Sequence, residues 1–223
     1  MAVRRTSRRR PTRDDLDRLA AEAQSAIAGA RWAEAEAPLR RLISGLPAPQ
    51  APLLYNLGLV MKQQGRLAEA LASFDEALSA DPGHAKARFE RAAALMDLED
   101  LAAAYTGFAA YLETAPEDPD ALVNAARLAL RLGRVDSAAA HAEALERQGR
   151  GDPATALLLA EVAAERGDRE TAGRGFALVL REGSPSLRAA ALTAMTQRPK
   201  GRIPLSLDRL LDPLLDPGDH SAR

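Results

Sequence analysis

The sequence predicts an all-α fold in which pairs of antiparallel helices stack one behind another. Two observations support this prediction. Chemically similar residues recur along the chain at a spacing of 34 positions, which is typical of stacked helical repeats and not of an ordinary helical bundle. The composition is 47% hydrophobic but only 4% aromatic, and alanine is abundant. Small side chains of this kind favour close helix packing over sheet formation.

Four columns of residues define the repeat and suggest what each position does. Two columns hold small residues where paired helices approach closely, a third fills the space beside them with an aromatic ring, and a fourth suits a tight turn between the helices. The columns are Gly58, Ala92, Ala126, Ala160; then Ala70, Ala104, Ala138, Ala172; then Phe74, Phe108, Ala142, Phe176; and then Gly65, Glu99, Gly133, Gly167.

One stretch, residues 51–84, carries the most complete pattern. Its signature residues are Leu54, Leu57, Gly58, Met61, Ala70, Phe74 and Pro82. The stretch resembles a tetratricopeptide repeat (TPR), whose pattern is W-x2-L-G-x2-Y, then A-x3-F, then P. Leu54 replaces the Trp of that pattern and Met61 the Tyr. The resemblance implies a right-handed superhelix, an α-solenoid, whose first helices line a concave groove for a peptide or a partner helix.

The 34-residue frame divides the chain into segments. We expect a superhelix over residues 14–197, made of a degenerate first repeat, four clearer repeats and a final capping helix. An Arg-rich arm precedes the superhelix and should be disordered, because blocks of like charge rarely fold. A Pro/Leu-rich tail follows it. The boundaries are 1–13 for the arm; 16–50, 51–84, 85–118, 119–152 and 153–186 for the repeats; 187–197 for the capping helix; and 198–223 for the tail.

The tail contains one amphipathic feature. Its leucines fall on one helical face, at Leu207, Leu210, Leu211, Leu214 and Leu215. Two interpretations remain open. The tail could cap the edge of the last repeat near Phe176 and Leu180, which we expect, or it could occupy the groove.

Several classes of function find no support in the sequence. The three histidines are scattered, no phosphate-binding loop is present, and there is no cysteine, so we expect neither an enzyme nor a cofactor or metal site. No apolar run is long enough to cross a bilayer, and the net charge is −1. We therefore predict a cytoplasmic protein that does not use a membrane. Scarce Lys beside abundant Arg and Ala suggests a GC-rich bacterial source.

The resemblance also places candidate binding residues along the groove. Apolar residues recur at the fifth position of the repeats, and charges of both signs lie nearby. Asn occupies the sixth position in two repeats, at Asn56 and Asn124, whereas Glu90 and Leu158 stand there in the other two. In related proteins that grip extended peptides, Asn at the sixth position often bonds the ligand backbone. The candidates are Tyr55, Asn56, Lys86, Phe89, Glu90, Val123, Asn124, Arg127, Arg131, Leu157 and Glu161. Mixed charges indicate an amphipathic partner. Specificity for chaperone C-termini is rejected, because Glu90 stands where that group has Arg.

The resulting hypothesis is a protein–protein interaction scaffold or adaptor that binds a peptide or helix in its groove. One alternative is a substrate-recruiting module for an enzyme on a separate chain. Another is a nucleic-acid-associated factor that uses the Arg-rich arm, although no aromatic residue interleaves these arginines. The sequence does not identify the partner or the oligomeric state.

Overall fold

The computed structural model describes residues 11–149 and 151–197. The chain divides into two compact units, with the boundary along the sequence between Thr114 and Ala115. These residues form eleven helices, and no strand occurs among them. None of the described helices combines the length and apolarity that crossing a membrane requires. The fold class is therefore all-α, as predicted. Each unit is described by itself below.

Unit 1 consists of three helix pairs. In each pair, consecutive helices pack against one another, and the second helix of a pair also packs against the first helix of the next. The helices are α1 (Arg13–Ala28), α2 (Trp32–Gly45), α3 (Ala51–Gln63), α4 (Leu67–Ala80), α5 (Ala85–Asp97) and α6 (Leu101–Leu112).

The first helix begins earlier than the sequence frame placed it. Thr12 caps α1 by accepting a hydrogen bond from the Asp15 amide, and the Asp15 carboxylate accepts one from the Thr12 amide in return. This reciprocal pair satisfies two amides that the helix start leaves free. Arg13, assigned to the arm, is therefore the first residue of α1. Residues 1–10 lie outside the described part of the chain.

The turn inside each helix pair uses a left-handed backbone residue. Gly65 has φ 75° between α3 and α4, as its column predicted, and an added Cβ there would meet nothing within 4 Å. Glu99 and Ala30 adopt φ of 61° and 52° at the equivalent turns. Only glycine takes this conformation without steric cost, so the backbone is strained at these two residues.

The small and aromatic columns meet in the core of unit 1. Ala70 and Phe74 are fully buried, and a Cβ added to Gly58 would stand 2.5 Å from Phe74 Cε1. Gly58 is therefore required for the ring to fit. Trp32 packs against the same core from α2, as expected of a packing residue.

Unit 2 consists of two helix pairs and a final helix. Its helices are α7 (Pro119–Arg131), α8 (Val135–Arg147), α9 (Pro153–Arg166), α10 (Arg169–Glu182) and α11 (Pro185–Gln197). Aspartates open α7, α9 and α10 by accepting hydrogen bonds from first-turn amides: Asp118, Asp152 and Asp168. Gly133 and Gly167 provide the left-handed turns.

The core of unit 2 follows the same columns with one substitution. Ala138, Ala172 and Phe176 are fully buried, whereas Ala142 occupies a position that holds Phe elsewhere. Leu145, one turn further along α8, is also fully buried and fills part of that space. The capping helix α11 begins at Pro185, two residues before the predicted start, and packs on α9 and α10. The predicted tail at 198–223 lies outside the described residues.

Candidate partner-binding surface

In unit 1, the candidate groove residues lie on the first helices α3 and α5. Tyr55, Asn56, Phe89 and Glu90 are half-buried, and Lys86 is exposed. Half-buried side chains of this kind can contact a ligand while neighbouring residues hold them in place. We call this surface of α1, α3 and α5 the first-helix face of unit 1.

The two aromatic residues of this face are held by other rings. The Tyr55 ring centroid lies 5.1 Å from that of His84 and 6.2 Å from that of Phe74. Phe89 meets Phe108 and Tyr111 edge-to-face, with centroids 5.2 and 5.3 Å away. Burial, together with the nearby charge of Glu90, raises the pKa of Tyr55 above its ordinary value. The hydroxyl is neutral at neutral pH, where it can donate and accept hydrogen bonds.

Asn56 borders a cavity on the same face. The cavity has a volume of about 300 Å3 and lies between α1, α2 and α3, where Ala20, Gln24, Ile27 and Leu53 contribute to its wall. The Asn56 amide makes no side-chain hydrogen bond to any residue between 11 and 149 or between 151 and 197. It combines donor and acceptor groups beside an apolar wall, which suits recognition of a peptide backbone.

Glu90 is held by a partner that the sequence analysis missed. Lys62 Nζ donates to Glu90 Oε2 over 2.8 Å, and both side chains are largely buried, with 21% and 23% of their surfaces exposed. The pair links α3 to α5 across the face. Both residues are present in the sequence, but their spacing alone does not show that their side chains meet.

In unit 2, the candidates separate into exposed and buried residues. Val123, Asn124 and Glu161 are half-buried, and Arg127 and Arg131 are exposed. The Asn124 amide, like that of Asn56, makes no side-chain hydrogen bond within the described part of the chain.

Leu157 corrects the expectation of an apolar ribbon along the groove. It is only 7% exposed and belongs to the core formed with Phe176, Ala191 and Met195. The reason is local, because α9 packs against four helices: α7, α8, α10 and α11. The fifth-position residue of α9 is therefore covered by side chains of its own unit.

The described histidines and carboxylates do not assemble a metal site. No group of three or more His, Asp or Glu side chains could hold a metal ion within the described ranges. His84 caps α5 by accepting from the Ala87 amide through Nδ1 at 3.1 Å. His141 is half-buried on α8, and burial lowers its pKa. The arrangement suits binding through apolar contacts and amide hydrogen bonds.

A second polar network joins α2 and α4 on unit 1. Arg66 donates to Glu36 at 2.7 Å and to Glu69 at 2.5 Å, and Arg40 donates to Glu36 at 2.8 Å. Hydrogen bonds from Arg40, reinforced by Arg66, lower the pKa of Glu36. Gln64 extends the network by donating to the Trp32 carbonyl at 3.0 Å. These contacts lock successive repeats together, so we assign them a structural role.

The helix pairs, their left-handed turns and the small-residue columns define a class of protein, the α-solenoid repeat scaffolds. Sequence comparison identifies the family. Tetratricopeptide repeat models match residues 51–84, 89–153 and 123–187. The chain belongs to the tetratricopeptide repeat family, whose members are generally non-catalytic scaffolds for protein–protein interaction.

Solved structures agree with this assignment at the level of fold. A tetratricopeptide repeat protein from Parabacteroides merdae has a TM-score of 0.69 at 23% identity, covering 81% of this chain and 77% of that chain. PilF of Pseudomonas aeruginosa has a TM-score of 0.67 at 20% identity, with coverages of 79% and 81%. YrrB, described as a TPR protein with an unusual peptide-binding site, has a TM-score of 0.68 at 19% identity, with coverages of 77% and 88%. No curated protein sequence is similar enough to count as a match.

Proposed function

We propose that this protein is an adaptor that binds an extended peptide or a helix of a partner protein on its first-helix face. The observation that carries the proposal is the surroundings of Asn56. The Asn56 amide is half-buried and makes no side-chain hydrogen bond within the described residues. It borders a cavity of about 300 Å3 and directly follows Tyr55 in the sequence. Polar groups beside an apolar concavity are typical of ligand sites.

The charges of the face indicate the character of the partner. Lys62 neutralises Glu90, so the acid does not repel an approaching carboxylate as strongly as its sequence position suggested. Lys86 remains exposed beside this pair. An amphipathic segment that combines apolar side chains with few charges fits this surface best. YrrB, a protein of similar fold, supports peptide binding as a use of this architecture.

The test is peptide selection on the intact protein. A random displayed peptide library would be selected against the wild type, and each enriched peptide would then be measured by calorimetry. Asn56→Ala should weaken binding about tenfold, since it removes hydrogen bonds to the ligand backbone that solvent replaces poorly. Ser44→Ala is the matched control, because Ser44 is exposed on α2 and its hydroxyl bonds only the Arg41 carbonyl.

Two outcomes would contradict the proposal. Selection might yield no peptide that binds the wild type, or Asn56→Ala might leave the affinity of every selected peptide unchanged. A parallel Asn124→Ala variant separates the units, because we expect a smaller effect from unit 2, where Leu157 is buried. The cytoplasmic location and bacterial origin inferred from the sequence remain predictions.

A further inference from the structure

Three clefts of one kind lie between the second helices of adjacent repeats. The first lies between α2 and α4 beside α3, the second between α4 and α6 beside α5, and the third, in unit 2, between α8 and α10 beside α9. Their volumes are about 310, 860 and 300 Å3. The second cleft is thus nearly three times as large as the other two, although equivalent positions of successive repeats line the first and the second.

The enlarged cleft differs from the first in the residues that α5 contributes. In the first cleft, Leu54 and Leu57 of α3 are buried, with 2% and 6% exposed. At the same positions of the next repeat, the second cleft has the half-buried Arg88 and Arg91. At 100° per residue, Arg88 and Arg91 lie about 100° and about 160° around α5 from Phe89, so the cleft faces a different direction from the first-helix face.

Both arginines retain hydrogen-bonding capacity. Arg91 Nε donates to Asp75 Oδ1 at 2.5 Å, and Arg88 Nη2 donates to the Pro82 carbonyl at 2.7 Å. A guanidinium carries five N–H donors, so other donors on each side chain can reach a ligand. The Asp75–Arg91 pair is partly exposed, at 54% and 35%, and surface pairs of this kind are weak enough to exchange.

The remaining wall of the cleft is made of small side chains. Ala103, Thr106, Gly107 and Ala110 of α6 line it, at the positions where the first cleft has Glu69, Ala72, Ser73 and Glu76. Loss of the two glutamates removes both bulk and negative charge. The cleft therefore combines a pair of cationic groups with a shallow apolar wall.

We propose that this cleft binds a helical segment of a partner protein that carries two carboxylates one turn apart, with leucine side chains beside them. Arg88 and Arg91 are three residues apart and are therefore neighbours on the surface of one helix. Carboxylates at i and i+4 of an opposing helix are separated by a similar distance, so each can meet one arginine. Each carboxylate can accept two parallel bonds from a guanidinium, while the leucines cover the alanine wall. Charge complementarity selects this partner over a basic or neutral segment.

The test uses the full chain and a labelled helical peptide of glutamate, leucine and alanine, with glutamate at every fourth position. Fluorescence anisotropy should show saturable binding, and the same peptide with glutamine should bind at least about tenfold more weakly, since it lacks charge-assisted bonds. The double variant R88Q/R91Q should lose about tenfold in affinity. R41Q/R147Q carries the same charge change at two exposed positions outside the cleft and should keep its affinity within about twofold.

One further variant tests whether Asp75 competes with the peptide for Arg91. D75N releases Arg91 from its intramolecular partner, so the glutamate peptide should bind severalfold more tightly. Thermal melting of R88Q/R91Q checks that the repeat remains folded. If that variant is unfolded, the D75N result decides the proposal alone, and an unchanged or weakened affinity would overturn it.

Other results would also overturn the proposal. They are an absence of saturable binding by the glutamate peptide, equal binding of the glutamine peptide, and equal losses in R88Q/R91Q and R41Q/R147Q. Two further results would assign the cleft to a different occupant. Tighter binding by a peptide of residues 203–219 would assign the cleft to this chain's own C-terminal segment. Self-association that R88Q/R91Q abolishes would assign it to a second copy.

Discussion

The repeat at 51–84 and the repeat at 119–152 fill the space between their helices differently. In the first, Phe74 is fully buried against Gly58, and that glycine leaves room for the ring. In the second, Ala142 faces the same region, Ala126 replaces the glycine, and Leu145 is fully buried nearby. A single 34-residue frame thus tolerates two packing solutions, one built on a single large ring and one on several smaller side chains.

The comparison shows which positions the fold depends on. The alanine at the closest approach of the two helices is unchanged, as Ala70 in one repeat and Ala138 in the other, and both are fully buried. The aromatic position can change, because volume lost there can be supplied one turn away. Helix spacing is therefore more strictly constrained than the identity of the filling residue.

The largest expected effect comes from removing the ring. Phe74→Ala should lower the free energy of unfolding by about 3–5 kcal/mol, because removing the ring leaves a cavity. The two helices already approach closely at Gly58, so they cannot move together to fill that cavity. Denaturant unfolding followed by the fluorescence of Trp32, the single tryptophan and a neighbour of the same core, measures this in unit 1. A loss below about 1.5 kcal/mol would show that Phe74 is less important than its burial implies.

Enlarging the recurring alanine should lower the free energy of unfolding by a smaller amount. Ala70→Leu and Ala138→Leu should each lower the free energy of unfolding by about 1–3 kcal/mol through overpacking. We expect the greater loss for Ala70→Leu, because Phe74 leaves no free volume beside it. Unfolding followed by circular dichroism compares the two variants. A greater loss for Ala138→Leu would mean that the repeat at 119–152 is the more tightly packed.

The turns should respond alike in the two repeats. Gly65 and Gly133 have φ of 75° and 70°, and neither has an atom within 4 Å of an added Cβ. Replacing either with alanine should therefore cost about 1–2 kcal/mol from backbone strain alone. Glu99→Gly is the reverse control and should stabilise the protein, because Glu99 already bears that strain at φ 61°. Clearly unequal losses of stability for the two glycine variants would indicate that side-chain packing also contributes to the stability of the turns.

The smallest expected effect is a dependence of stability on pH. His141 lies on α8 where the earlier repeat has Ser73, and burial lowers its pKa. Because the unfolded chain binds the proton more readily, stability should be complete above the ordinary histidine pKa of about 6.5 and fall as the pH drops through the lowered value. Melting curves of the wild type and His141→Gln between about pH 7.5 and about pH 5 test this. The variant should lose less stability on acidification, and identical losses would contradict the prediction.

Much of the fold could be predicted because the repeat constrains it in two ways. The 34-residue period indicates where the helices recur, and residue size indicates where paired helices pack closely. The burial of Ala104 and Ala138 and the left-handed turn at Gly65 are confirmed. The observed helix ends differ from the sequence frame by a few residues, since α1 begins at Arg13 and α11 at Pro185. Caps decide such ends, and they depend on single side chains such as Thr12.

The candidate site was less predictable. The period identifies which positions share a helix face, but it does not show what covers that face. Leu157 is buried because four other helices surround α9. The bond between Lys62 and Glu90 depends on the reach of two long side chains across adjacent repeats. Both features are tertiary, so a pattern confined to one repeat cannot contain them.

The substitution of Leu54 and Leu57 by Arg88 and Arg91 has a consequence for how such a chain can evolve. Two signature positions have changed from apolar to cationic, yet α5 still packs with α4 and α6, and Ala92, Ala104 and Phe108 remain fully buried. In this repeat, the residues that hold the helices together are therefore distinct from the two arginines that line the cleft. A duplicated repeat can diversify its clefts one pair of codons at a time while its scaffold is inherited unchanged, so new recognition surfaces are accessible through few mutational steps.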